Sequence, residues 1–399
     1  MFAVAAMFAA TQVHMPTTAA PAAPPIDGAA LERLTFDALE GWREDDHAAA
    51  FAAFRKTCAT VVEDAAVVRR GASTPPALRT ACAAALALTP APDRMRARHF
   101  FERHFHPFIV RPATGGGFLT GYYEPEFPGR LAPAAGFDAP LLARPDDLVT
   151  IAEGESIGGL DPELRAARRV ATPAGARFEP FPERAAIEDG ALGNAARALV
   201  YLDPVDAFMA HVQGSVRVRV DGAVRRFAYA GRNGHPYTSV ARLVVAETGM
   251  APRDLTAPRL VAWLRAHSDA ARRLMRRNRS YIFFRPADEL SPDDGPVGGA
   301  SVQLTAGRSL AVDRRVWAYG LPVWIEARLP HADAGAYALR RLMIAQDTGS
   351  AIVGPARADI FFGSGREAGA RAGVVRHAPE KFVVLLPADG GPGAGERGT

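Results

Sequence analysis

The stretch RLMIAQDTGSAIVGPARADIFFG (residues 341–363) decides how this chain is read. An apolar run, Leu342–Ala345, leads toward Asp347; Gly349, Gly354 and Pro355 follow, and Asp359 then opens a second apolar run, Ile360–Phe362. Glycine and proline let two strand-like pieces bend back toward one another. The pattern therefore predicts two carboxylates at strand ends, close in space. A third, Asp313, ends the strand-like SLAV (309–312). An isolated aspartate beside glycine is ordinarily a turn cap, but three strand-end aspartates within fifty residues weaken that reading. Clustered acids raise one another's pKa, so one can stay protonated near neutral pH and serve as a general acid.

The tetrapeptide DTGS at Asp347 also matches the catalytic loop of pepsin-like aspartic proteases. That chemistry needs two carboxylates sharing one proton, delivered by two such loops. No second D-T-G or D-S-G occurs, the near misses being ETGM at Glu247 and DDG at Asp293. The protease stays a minor alternative that requires dimerisation, and the chain is long for that arrangement.

At 399 residues, 48% hydrophobic and 23% charged, the chain is globular with two or so domains. Its net charge is only +4, yet nearly all basic residues are arginine and the pI is about 9.3. Basicity this mild and dispersed suits a polyanionic surface or polymer and lacks the clustered patch that argues nucleic acid. MFAVAAMFAATQVHMP (1–16) resembles the apolar part of a secretory signal, although the positive start is missing, and TTAAPAAPP reads as a linker. The run is too short to span a bilayer, and no cysteine for lipid attachment lies near it. Cys58 and Cys82 are open to pairing in an oxidising compartment or to burial as free thiols.

From Leu31 to Phe105 the apolar spacing (Leu31, Leu34, Phe36, Leu39; Phe51, Phe54; Val61, Val62) predicts short helices. After Phe118 the chain turns to glycine, proline, β-branched and aromatic residues. In 214–231, Val216, Val218 and Val220 alternate with Arg217, Arg219 and Asp221 before Gly222, a β-hairpin signal. Helices are expected in TSVARLVVAETGM and APRLVAWLRAHSDAARRLMRRN, and short strands with glycine-rich corners after residue 308. The tail ADGGPGAGERGT reads as disordered. His99, Glu102, His104 and His106 in HFFERHFH do not share one helical face, so the segment reads as a packed helix end rather than a metal site. The glycine-rich stretches GRNGHPYTS, GPVGGAS and GSGREAG fit no phosphate-loop spacing.

Taken in order, GYYEP (121–125), FMAHVQGSVRVRVDG (208–222), YAGRNGHPYTSVARL (229–243), NRSYIFFR (278–285), LTAGRSLAVDRRVWAYGLPVWI (304–325) and 341–373 resemble the membrane-bound lytic murein transglycosylase A (MltA) family. The likeness runs from about Phe100 to Pro387. It implies a mixed, mainly β fold in which N-terminal helices (28–121) and a C-terminal double-psi β-barrel (286–387) form one domain. A β-rich second domain (122–285) is inserted between them, with a glycan groove in the join. The family's three aspartates match Asp313, Asp347 and Asp359, and its catalytic residue matches Asp359. Tyr122, Tyr123, Gln213, Ser215, Tyr237, Ser239 and Gly349 match positions that line or support the groove. The implied activity is non-hydrolytic cleavage of peptidoglycan between MurNAc and GlcNAc, giving 1,6-anhydroMurNAc ends. No cofactor, metal or nucleic acid is called for, and a monomer working in the periplasm, with possible outer-membrane association and cell-wall complexes as partners, is expected. A non-catalytic glycan-binding module is the main alternative. Two positions depart from the family's glycine, Val216 and Ser350; at both, an added side chain is expected to narrow the groove or change substrate preference.

Overall fold

The computed structural model describes residues 25–88, 91–152, 154–173, 175–291, 294–331 and 335–388. Most of the signal-like segment (1–27) and of the tail (388–399) lies outside the described residues. The fold is mainly β with helices packed on it, as expected. Helices His47–Glu63 and Arg94–His104 start at Asp46 and Asp93, whose carboxylates accept the N–H of Ala49 and Arg96. With Pro76–Ala87 they bury Phe51, Phe54 and Phe101, whose rings meet largely edge to face, and Cys58 is bonded to Cys82. The helical reading of Leu31 is corrected: Ala29–Arg33 is a strand, with Leu31 opposite Val110 of Phe105–Pro112. Pairing with a distant strand overrode the local spacing. HFFERHFH divides before its last two residues, helical to His104 and extended from Phe105, with His104 lying on Phe100.

Nine strands form the main sheet in the order Ala29–Arg33, Phe105–Pro112, Lys381–Pro387, Pro322–Pro330, Ala336–Asp347, Ser309–Val312, Arg357–Ser364, Phe118–Glu124, Arg376–His377. Two neighbouring pairs are parallel, Ser309–Val312 with Ala336–Asp347 and Arg357–Ser364 with Phe118–Glu124; the rest run antiparallel. The GYYEP strand is thus built into the C-terminal sheet. The N-terminal helices are tied to the sheet by a buried bidentate pair, Arg308 with Asp45 (2.8 and 2.9 Å), and Asp45 also accepts the Leu342 N–H.

A second sheet orders Ile282–Pro286, Ala223–Arg232, Ser215–Val220 and Glu126–Pro128. Its central hairpin turns at Asp221 (φ 50°) and Gly222 (φ 85°), the left-handed pair that a two-residue turn needs. Val216 is fully buried in this sheet's core with Val218 and Phe227. Its expected place on the groove is corrected, because strand alternation turns it inward. Helices Val240–Thr248, Ala257–Ala266 and Ser268–Arg276 pack in a further cluster around Phe208, Val244 and Leu274. The two sheets are joined by Glu124, fully buried, which accepts from Arg217 (2.7 Å), Arg226 (3.0 Å) and Ser364 (2.9 Å).

Candidate active site

A cleft of about 2170 Å³ runs between residues of the main sheet, the second sheet and the 240–260 helices. Thr120, Asp313, Thr348 and Arg357 line it, while Asp347, Asp359 and the buried strand Ser309–Val312 stand directly behind these residues. Ala311 lies opposite Asp347 on the parallel side and opposite Asp359 on the antiparallel side. The two aspartate strands do not pair with each other, as the glycine-rich bend alone would suggest; a third strand separates them and holds both acids level. Neighbouring strands are about 4.8 Å apart, so two acids flanking one residue share a neighbourhood without sharing a proton.

The three carboxylates have different surroundings. Asp313 is buried and accepts the Gly354 N–H (2.8 Å), the Arg315 N–H and the Arg315 guanidinium. Burial works against its charge but is outweighed by Arg315 and Gly354, and the carboxyl lies below its usual range. Asp347 has both oxygens engaged, Oδ2 by the Tyr122 hydroxyl (2.9 Å) and Oδ1 by the Gly299 N–H (2.8 Å). Burial, with Asp347 beside it, pushes the Tyr122 phenol up and keeps it a donor. Asp359 takes one hydrogen bond, from the Thr120 hydroxyl to Oδ1 (2.7 Å), and its Oδ2 has none among the described residues. Thr120 in turn accepts from Arg357 (2.7 Å). Burial pushes Asp359 up to about 6 against Arg357 and Thr120, which favour its ionised form, while Asp347 adds a smaller upward push. The like-charge effect expected from clustering is present, but desolvation is the larger cause.

Tyr237, Ser239 and Gly349 line the cleft. Ser239 also caps Val240–Thr248 by accepting the Arg242 N–H (3.4 Å). Tyr122, Tyr123, Gln213 and Ser215 stand behind the lining residues: Gln213 accepts the Tyr123 N–H (3.2 Å), and Ser215 is buried at the start of its strand. Gly121 has no room for a Cβ, which would come within 2.7 Å of Ala372. Ser350 does reach the cleft, where its Oγ accepts from Arg232 (2.6 Å), joining the two sheets' sides.

The sequence reading missed Thr120, Arg357 and Arg69. Thr120 is opposite Asp359 in the parallel register, which no local pattern announces. Arg69 lies between the first two helices, yet it donates to Thr348 O (2.8 Å) and places its guanidinium 4.3 Å from the Tyr229 ring centre. The loop that follows Asp347 is thereby held at Thr348 by Arg69, at Gly354 by Asp313 and at Pro355 by Trp317 (2.8 Å).

A family model for the MltA specific insert domain matches residues 118–285, and one for the 3D domain matches 308–385. The solved structure of a membrane-bound lytic murein transglycosylase from Agrobacterium tumefaciens is 37% identical, covers 90% of this chain and 98% of its own, and superposes with a TM-score of 0.78. This chain belongs to the MltA family. MltA from Neisseria gonorrhoeae is 29% identical with a TM-score of 0.71, covering 93% of this chain and 99% of its own. Membrane-bound lytic murein transglycosylase A of Escherichia coli (strain K12) is 35% identical over 222 residues, 54% of this chain and 58% of that protein. The chain thus matches a little over half the length of that curated MltA relative. A solved E. coli MltA with bound chitohexaose is 27% identical, with a TM-score of 0.57 over 78% of this chain and 83% of its own.

Proposed function

We propose that this chain is a lytic transglycosylase that cleaves the β-1,4 bond between MurNAc and GlcNAc of peptidoglycan, with Asp359 as its one acid and base. The observation that carries this reading is the difference among the three carboxylates: Asp313 and Asp347 are taken up by donors, while Asp359 Oδ2 has no donor among the described residues and burial pushes this carboxyl up to about 6. Such a group is present in both protonation states near neutral pH, which suits an acid that must next act as base.

A glycosidase ordinarily needs a second carboxylate as nucleophile or as base for water. Here Asp347 is held by Tyr122 and Gly299, which favours a reaction whose nucleophile comes from the substrate. Asp359 gives its proton to the glycosidic oxygen as the C1–O bond breaks. The carboxylate then takes the proton of the MurNAc C6 hydroxyl as O6 attacks C1. The products are a free GlcNAc 4-hydroxyl and a 1,6-anhydroMurNAc end, with no water consumed. Asp347 disfavours the ionised form of Asp359, Thr120 orients the carboxyl, and Tyr237, Ser239 and Gly349 contact the glycan. In this reading 28–121 with 286–387 form the catalytic part, 122–285 the inserted part, and the strand lies in the cleft between them. The chain works as a monomer on murein in the periplasm of a Gram-negative envelope, near the outer membrane and within reach of cell-wall synthesis and hydrolysis complexes. Among the described residues no helix is long and apolar enough to cross a membrane.

The test is digestion of purified sacculi with wild type and Asp359→Ala, followed by mass spectrometry of the soluble products. Anhydro-muropeptides from wild type alone are expected. Reducing-end products would assign a hydrolase, and retained binding without products a glycan-binding module.

A further inference from the structure

The dispersed basicity of the sequence is gathered by the fold: among the described residues, eleven arginines and two carboxylates, Glu163 and Asp313, line the cleft. Asp313 is already paired with Arg315, and Arg285 is paired with Glu289 outside the lining. Most informative is how the arginines are held. Arg69 donates to Thr348 O (2.8 Å), Arg144 to Leu148 O (2.6 Å), Arg165 to Pro162 O (2.6 Å), Arg376 to Pro252 O (2.9 Å) and Arg357 to the Thr120 hydroxyl (2.7 Å). These acceptors are neutral. They fix the guanidinium planes without an ion pair, although Arg357 lies beside Asp359 and Arg69 near Asp347, whereas the buried Arg308 and Arg217 are matched directly by carboxylates, Asp45 and Glu124. Two more cleft arginines, Arg70 and Arg242, are exposed with no side-chain partner among the described residues. A concave wall carrying one sign of charge concentrates ligands of the other sign.

Resting on the transglycosylase reading, we propose that the cleft recognises carboxylates borne by the glycan's substituents, so that acidic murein strands bind in preference to a neutral β-1,4-linked GlcNAc chain. The sugar backbone itself is uncharged. Carboxylates reach the cleft from the peptide stems, or from the lactyl ether of MurNAc once the peptide has been removed. Guanidinium forks match either through paired N–H···O bonds.

The experiment is equilibrium binding to the full chain carrying Asp359→Asn, with three probes: peptide-bearing murein fragments, amidase-stripped fragments of equal length, and chitohexaose. Each is measured at 50 and 300 mM NaCl, with sacculus digestion by wild type run in parallel. Expected is roughly tenfold tighter binding of at least one acidic probe at low salt, falling to within about twofold at high salt as the charges are screened. The two acidic probes distinguish stem from lactyl carboxylates. Adding Arg70→Gln and Arg242→Gln should remove at least half of the advantage while chitohexaose binding is unchanged. Equal, salt-insensitive binding of all three probes, or an advantage that survives the double substitution, overturns the proposal and leaves the transglycosylase reading standing. If no probe binds and wild type releases no anhydro products, the reading beneath it has failed as well.

Discussion

Replacing Thr120 by Val tests whether the environment of Asp359 sets the working pH. The hydroxyl donates to Asp359 Oδ1 at 2.7 Å and is itself polarised by Arg357 at 2.7 Å. A hydrogen bond to a charged group contributes about 1.5 kcal/mol or more, and this one favours the carboxylate over the acid. Its loss should raise the pKa by about one unit, at 1.36 kcal/mol per unit, moving it from about 6 toward 7. Since the proposed first step needs the protonated form, kcat/KM should fall above that pKa. The alkaline limb of the variant should therefore lie about one pH unit higher than that of wild type, whatever happens to the plateau. The assay is initial clearing of sacculi from pH 4.5 to 8.5 at constant ionic strength, with anhydro products confirmed by mass spectrometry. Val keeps the β-branched shape on the strand, so the shift is separable from misfolding. A limb that stays in place or moves to lower pH would refute the reasoning.

Asp347→Asn should shift the same limb the other way, by less than one unit, because it removes a like charge from beside Asp359. Asp359→Asn should abolish cleavage yet stabilise the fold at pH 7.5 by about 2–3 kcal/mol, read by denaturant melts. With a folded pKa above the unfolded value, the carboxyl destabilises the fold only once it is ionised. The gain should thus shrink as pH falls from 6 and vanish below about 4. Glu124→Gln leaves two buried guanidiniums short of a counter-charge and should cost about 3 kcal/mol, with unfolding becoming less cooperative if the two sheets separate. Reduction of Cys58–Cys82, closing a loop with sequence separation 24, should cost about 3 kcal/mol in chemical denaturation.

Much of this architecture could be read from residues whose local pattern and tertiary role agree. The Val216–Val220 alternation with Asp221-Gly222 specified its hairpin, and the capped helices and strand-end aspartates lie near where their neighbours predicted. What escaped depends on partners far along the chain. Leu31 follows helical spacing but is claimed by the strand at Val110. Val216 was expected to approach the glycan, yet whether a strand residue faces groove or core depends on which sheet it joins. Thr120 and Arg69 act across 239 and 279 residues of sequence, to Asp359 and Thr348, so no window of neighbours contains the contact. The arginines read as dispersed because adjacency in the cleft is produced by folding alone.

The likeness of DTGS to a protease loop fails for a reason visible in the sheet. A shared proton requires two carboxyls facing each other with nothing between them. Here Ser309–Val312 runs between the two strands, Ala311 opposes both acids, and Asp347 turns its oxygens to Tyr122 and Gly299. Asp359 is left with Thr120 as its hydrogen-bond donor among the described residues, and burial is the main cause that raises its pKa. A site with one poised carboxyl is poorly equipped to activate water on the opposite face of a sugar. It is sufficient when the attacking hydroxyl already belongs to the ring being cleaved, since proton donor and proton acceptor can then be the same group at successive moments. The separation of the aspartates by one strand, which removes the protease option, is thus also what makes an intramolecular transglycosylation the chemistry that this site fits best.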